Sequence, residues 1–181
     1  MPRRLVRAAG FVIVFLLSTG FDQASKQWAL NLPVPAGCTV PADLVAHTCS
    51  GVPQSVIQGH WDWVLAMNTG AAFSSLDHGE WSQMLLALLA FAAIGVIGVM
   101  VMRTRPDQRL ERIAYGLIAG GALGNVIDRL RHGGVTDFVR WRWGSHYWPI
   151  FNVADAALLV GVVLLVAASA LRHRARPQVA K

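Results

Sequence analysis

The chain has 181 residues, of which 54% are hydrophobic and 14% charged, with a mean hydropathy of +0.44. A soluble domain carries about a quarter charged residues, so this balance excludes an ordinary water-soluble globule and describes a single membrane-embedded domain. The 16 Lys+Arg exceed the 10 Asp+Glu, but no basic helix carries base-reading side chains and no RNA-type aromatic motif is present, which excludes nucleic acid as a partner.

Four apolar runs follow in order, Ala8–Leu30, Ser82–Met102, Ile113–Leu130 and Val153–Leu171. Each is close to the ~20 residues that cross a bilayer as a helix, and lipid offers no partner for free backbone groups, so four transmembrane helices are predicted. The first run has the basic start and apolar centre of a secretory signal, and Pro35-Ala36-Gly37-Cys38 hints at a cleavage site. Pro35 stands where a leucine-like residue is expected, and Asp22 and Lys26 interrupt the run, so it reads as a retained helix.

Charge orients the chain. Arg3, Arg4 and Arg7 precede the first run, Arg103, Arg105, Arg109 and Arg112 lie in or beside the 103–112 loop, and Arg172, Arg174, Arg176 and Lys181 follow the fourth. The segment Asn31–Trp81 has no Lys or Arg. The positive-inside rule therefore predicts cytoplasmic termini, a cytoplasmic 103–112 loop and an external 31–81 segment. Arg129, Arg131, Arg140 and Arg142 depart from the rule and are assigned interfacial or functional roles.

Within the external segment, Val52–Gln58 and Trp61–Met67 are rich in aromatic and branched residues, which predicts a small extracytoplasmic β-sheet. Cys38 and Cys49 both fall on this oxidising side, where a disulfide and two free thiols are both open. In the third run Gly116, Gly120 and Gly124 recur every four residues, a small-residue stripe for close helix approach.

The polar residues converge on one depth. Asp22 lies near the outer end of the first helix, Asn125 and Asp128 near that of the third, and Asn152 and Asp155 at the start of the fourth. Asp137 falls in the connection between the last two helices, and Asn68 in the approach to the second. Asp22 and Lys26, four apart, form an acid-before-base pair on one helical face. Asn125/Asp128 and Asn152/Asp155 are three apart, which places each amide over the face of its own carboxylate.

Three chemistries suit such carboxylates. Two that share a proton can hydrolyse an amide without a metal. Intramembrane acids also build ion pathways, although those need polar residues at several depths. Three aspartates can bind Mg²⁺ or Ca²⁺, whereas His132 and His146 are isolated and suggest no zinc site. Spacing ranks them in that order and leaves Asp128, Asp137 and Asp155 as equal candidates for a catalytic pair.

Five stretches carry a resemblance: Asp22-Gln23-Ala24-Ser25-Lys26, Asn68-Thr69-Gly70-Ala71-Ala72-Phe73, Gly120–Arg129, Val135-Thr136-Asp137-Phe138 and Phe151-Asn152-Val153-Ala154-Asp155. In this order they closely resemble the lipoprotein signal peptidases (signal peptidase II), four-helix aspartyl proteases of the bacterial inner membrane. The resemblance implies Asp137 and Asp155 as the catalytic pair and Asp128 with Arg129 as a brace. It implies Asn68, Gly70, Asn125 and Asn152 as polar support and Asp22 with Lys26 as a structural pair. It further implies an endopeptidase, expected to act as a monomer without metal or other cofactor. Its substrates would be prolipoproteins already carrying diacylglycerol, cleaved among membrane lipid at the outer face of the inner membrane. A short periplasmic amphipathic helix between the last two spans is also implied, and Arg140-Trp141-Arg142-Trp143 with Tyr147-Trp148 suits it. Residues 31–60, with Cys38 and Cys49, are longer than the family pattern.

Overall fold

The computed structural model describes residues 3–70 and 80–174, with side chains for 9–70 and 81–172. Residues 71–73 of the Asn68–Phe73 motif and the basic residues Arg176 and Lys181 lie outside the described residues. Four long helices are present: α1 (Arg3–Ala29), α3 (Glu80–Arg103), α4 (Arg109–His132) and α5 (Val153–Arg174), with a short α2 (Ala42–Val45) after the first. A four-stranded antiparallel sheet, β1 (Gln54–Ile57), β2 (Trp61–Asn68), β3 (Val135–Trp143) and β4 (His146–Tyr147), is ordered β1-β2-β3-β4.

Helix α4 packs against α1, α3 and α5. Its glycine stripe makes the approach of α1 possible, since a methyl group on Gly120 would meet the Phe15 carbonyl at 2.8 Å. The outward faces of α3 and α5 are apolar and exposed, with Leu88, Leu89 and Val96 on one and Leu159, Val163 and Val166 on the other. Trp81–Arg103 and Val153–Arg172 are long and apolar enough, by length and composition, to cross a membrane. The polar residues of the site are carried instead mainly by α1 and α4.

The sheet caps one end of the helices. Leu65 and Met67 of β2, Phe138 and Val139 of β3, Leu44 of α2 and Ala29 of α1 form its buried core. Trp28, at the end of α1, packs edge-on against the rings of Trp63 and Phe138. Cys38 and Cys49 are joined in a disulfide that closes the loop bearing α2. The residue after that turn, His47, places its Nε2 3.0 Å from Thr69 Oγ1 at the end of β2.

One expectation is overturned. The segment suited to an amphipathic helix is instead the outer half of β3 and the β3–β4 hairpin. Its Arg-Trp-Arg-Trp run alternates with period two, which puts arginines on one face of a strand and tryptophans on the other. Arg140 and Arg142 both turn to the buried Asp62 of β2, with shortest separations of 2.8 and 3.5 Å. A two-residue Gly144-Ser145 connection, with Gly144 at φ 60°, closes the hairpin, the positive φ being one that glycine adopts readily. That buried acid gives two of the four arginines that depart from the charge rule a counter-charge.

Candidate active site

Five elements meet where the sheet joins the helices. Helix α1 contributes Asp22, Gln23 and Lys26, α4 contributes Asn125, Asp128 and Arg129, and α5 contributes Asp155 with Asn152 just before it. Strand β2 ends on Asn68, and β3 carries Thr136 and Asp137.

The start of α5 organises the pair of aspartates. Asn152 and Asp155 form a capping box: the Asp155 amide donates to Asn152 Oδ1 at 3.0 Å, and the Asn152 amide donates to Asp155 Oδ2 at 3.3 Å. Each thereby satisfies a backbone donor that the first helical turn leaves open. The Asn152 side chain, fully buried, then donates Nδ2 to Asp137 Oδ1 at 2.6 Å. Asn68 Nδ2 donates to Asp137 Oδ2 at 3.1 Å, and Asn125 Nδ2 donates to Asp155 Oδ1 at 2.9 Å. All four carboxylate oxygens of Asp137 and Asp155 are therefore held by amide donors. Gly70, at φ 84°, donates its amide to Asn68 Oδ1 at 2.9 Å and fixes the direction of that arm.

A second layer sits beneath. Lys26, 2% exposed, reaches Asn125 Oδ1 at 2.8 Å, Asp22 Oδ2 at 3.0 Å and Asp128 Oδ2 at 3.4 Å. Buried charges of this kind are tolerable only when paired and hydrogen-bonded. Asp22 Oδ1 accepts from the Ala154 amide at 2.9 Å, so α1 also caps α5. Asp128 Oδ2 accepts from the Thr136 amide at 2.7 Å, which seats β3 on α4 one residue before Asp137. Arg129 Nη1 approaches the Asn125 carbonyl at 3.4 Å, its Nε has no hydrogen-bond partner among the described residues, and its charge reaches Asp155, Asp137 and Asp128.

Electrostatics distinguish Asp137. Burial, and after it the negative charge of Asp155, push its carboxyl up from 3.8 to about 7, against the opposing pull of Asn68, Asn152 and Lys26. Asp137 is 2% exposed and Asp155 is half-buried. The structure thus brings together one carboxyl that keeps its proton near neutrality and a second, more open one.

The ten residues that the sequence assigns to the site, Asp22, Lys26, Asn68, Gly70, Asn125, Asp128, Arg129, Asp137, Asn152 and Asp155, lie in this cluster, but the local amide–carboxylate pairing is not the one formed. Asn125 donates to Asp155, thirty positions on, rather than to Asp128, and the Asn152 side chain donates to Asp137 rather than Asp155. Asp128 is engaged by Thr136, Lys26 and Gln23. Gln23, unassigned in the sequence, donates to Asp22, the Gly124 carbonyl and Asp128 at 3.2–3.4 Å. Its only signal was its place inside the first motif. Among the described residues no three His, Cys, Asp or Glu side chains are arranged to hold a metal.

A helical membrane protein with a small sheet at one end, and two amide-clasped aspartates beneath that sheet, has the architecture of a membrane aspartic peptidase. The chain belongs to the signal peptidase II family: the family model described as signal peptidase (SPase) II matches residues 14–171. It is 40% identical over 154 residues to the lipoprotein signal peptidase of Xanthomonas euvesicatoria pv. vesicatoria, covering 84% of this chain and 81% of that one. The lipoprotein signal peptidase of Xylella fastidiosa (strain 9a5c) is 39% identical over 155 residues, with 84% and 83% covered. A solved bacterial membrane enzyme structure at 1.9 Å resolution superposes with a TM-score of 0.69 at 24% identity over 88% of this chain and 91% of that one, a likeness of fold. The chain is accordingly an aspartic endopeptidase of the family that cleaves signal peptides from prolipoproteins.

Proposed function

We propose that Asp137 and Asp155 are the catalytic pair, acting on diacylglyceryl-modified prolipoproteins at the outer face of the inner membrane. The observation that carries this is Asn152, which holds Asp137 by its side chain and Asp155 by its backbone. Asp155 takes a proton from water as the water oxygen attacks the scissile carbonyl carbon. Asp137 gives its proton to the carbonyl oxygen, producing a gem-diol. On collapse the C–N bond breaks, the leaving nitrogen takes the proton from Asp155, and a diol hydroxyl returns one to Asp137. The enzyme regains its starting protonation with no cofactor. The pKa of about 7 supports Asp137 as the acid.

In this reading Asp128, Arg129, Asn125, Asn68, Gly70, Asp22 and Lys26 hold the pair in place. All four long helices span the bilayer, with the sheet outside and both termini cytoplasmic. The basic 103–112 loop supports that orientation, since it lies at the helix ends away from the sheet. The chain acts as a monomer on its lipid-anchored substrate.

The test is cleavage of a lipidated prolipoprotein peptide by the wild type, Asp137→Asn and Asp155→Asn, with and without EDTA. Each variant is expected to lose at least about a thousandfold in kcat/KM, of the order that removal of general acid or base produces, while inserting normally. Near-normal turnover by either variant refutes the pair. Complete loss of wild-type activity in EDTA, restored by Mg²⁺, would favour a metal mechanism instead.

A further inference from the structure

The outer end of the sheet holds a second feature unrelated to the aspartates. An open groove of about 540 Å³ lies between the β1–β2 turn and the β3–β4 hairpin. Its walls include Trp61, Trp141, Arg142, Trp143, Tyr147 and Trp148. The volume falls within the roughly 300–1,000 Å³ of sites that take a single small ligand. Arg142 lies five residues beyond Asp137 on β3, or ~17 Å at the rise of a strand, so the groove is separate from the aspartate pair.

Its chemistry is one-sided. Among the described residues, Asp62 is the only carboxylate paired with either Arg140 or Arg142, so two guanidiniums face one acid. Arg140 makes both hydrogen bonds to that acid, through Nε at 3.2 Å and Nη2 at 2.8 Å. Arg142 Nε stands 3.5 Å away without a formed hydrogen bond, and the Trp61 indole N–H is likewise buried without an acceptor. Arg142, its side chain 28% exposed, therefore brings a charge that shares one acid with Arg140 to a groove whose remaining surface is mostly aromatic. An occupant that matches this wall needs a negative headgroup and an apolar body.

The surroundings select the source of that amphiphile. Trp143 is 77% and Trp148 65% exposed, a density of large rings that water disfavours. At the same end of the molecule Trp28 closes α1 and Trp81 opens α3, both also exposed. Tryptophan, tyrosine and arginine together are the composition of the lipid headgroup layer. We infer that the groove between the β1–β2 turn and the β3–β4 hairpin is a binding site for one anionic phospholipid. Its phosphate lies against the exposed part of the Arg142 side chain, and its glycerol and upper chains lie over Trp141, Trp143 and Trp148. Such a site would anchor the sheet at the bilayer surface.

The experiment is native mass spectrometry of the full chain released from detergent after incubation with phosphatidylglycerol or phosphatidylcholine. Arg142→Gln and Trp143→Ala are compared with Arg105→Gln, an exposed arginine at the other end of the helices. The wild type is expected to retain one phosphatidylglycerol in preference to phosphatidylcholine. Arg142→Gln and Trp143→Ala should each lower its occupancy at least fivefold, while Arg105→Gln leaves it intact. Thermal unfolding and peptide cleavage in detergent serve as folding controls and should be unchanged in all three variants. Equal retention of the two lipids by the wild type overturns the inference. So does lipid loss by Arg142→Gln no greater than that by Arg105→Gln. A raised KM for the peptide in Arg142→Gln with lipid retention unaltered also overturns it, and assigns the groove to the polypeptide substrate.

Discussion

Removing one amide from Asp137 should move the pH dependence of cleavage in a direction opposite to simple damage. The Asn68 amide donates to Asp137 Oδ2 at 3.1 Å and favours the ionised carboxylate. Asp137 is nevertheless pushed up from 3.8 to about 7, a difference equivalent to roughly 4 kcal/mol against ionisation inside the fold. A hydrogen bond to a charged acceptor contributes about 1.5–3 kcal/mol. Asn68→Ala loses part of this because the arm is only partly buried, so a rise of about one pH unit is expected. If Asp137 acts as the acid, kcat/KM falls as pH rises through about 7 in the wild type and through about 8 in Asn68→Ala. At pH 8 the wild type then keeps about a tenth of its own low-pH plateau and the variant about half. Asn152→Ser, which retains an oxygen to cap α5 but withdraws the donor to Asp137, should shift the limb in the same direction. The assay is kcat/KM for a lipidated prolipoprotein peptide between pH 5 and 9. An alkaline midpoint that stays put in both variants, or moves down, refutes the assignment of Asp137 as proton donor. Stability has a matching sign. The unfolded chain releases this proton near 3.8 and the folded one near 7, so the contribution is fully present below 3.8 and is lost as pH rises through 7.

Three further outcomes follow from the surroundings of the pair. Lys26→Met leaves Asp22 and Asp128 buried without their shared cation and should destabilise the protein by about 3–5 kcal/mol, read as a large fall in the detergent unfolding midpoint. Gly124→Ala places a methyl group against Asp22 Oδ2 and pushes that carboxylate away from the Ala154 amide. Activity should drop at least about tenfold, measured beside Gly10→Ala, where the methyl meets open space. Cys38→Ser with Cys49→Ser opens a short cross-linked loop and should reduce stability by about 2–4 kcal/mol, visible as a lower midpoint without a change in the pH limb.

The long helices were legible because an apolar run near bilayer length has few alternatives, whereas the capping box at the start of α5 emerged only in the structure. The strand Trp61–Asn68 was visible in its aromatic and branched residues. The hairpin at Trp141–Tyr147, expected as a helix, carries a period-two alternation in Arg-Trp-Arg-Trp and a turn pair in Gly144-Ser145. Its interfacial composition, however, also suited an amphipathic helix, and composition does not distinguish the two. Asp62, the buried partner that makes strand geometry favourable for Arg140 and Arg142, lies 78 positions from Arg140. No local rule joins them.

The sequence by itself determined most of the polar groups in the cluster, Gln23 and Thr136 excepted, and at which end of the helices they gather, because polar residues interrupt apolar runs only at one level. It could not determine who bonds to whom. Spacing rules describe neighbours within one element, and they pointed Asn125 at Asp128. Only the tertiary structure, by seating β3 on α4 through the Thr136 amide and docking the start of α5 beside them, turned Asn125 to Asp155 and Asn152 to Asp137. The same docking gave Asp128 a different set of partners, Lys26, Gln23 and the backbone of the neighbouring strand.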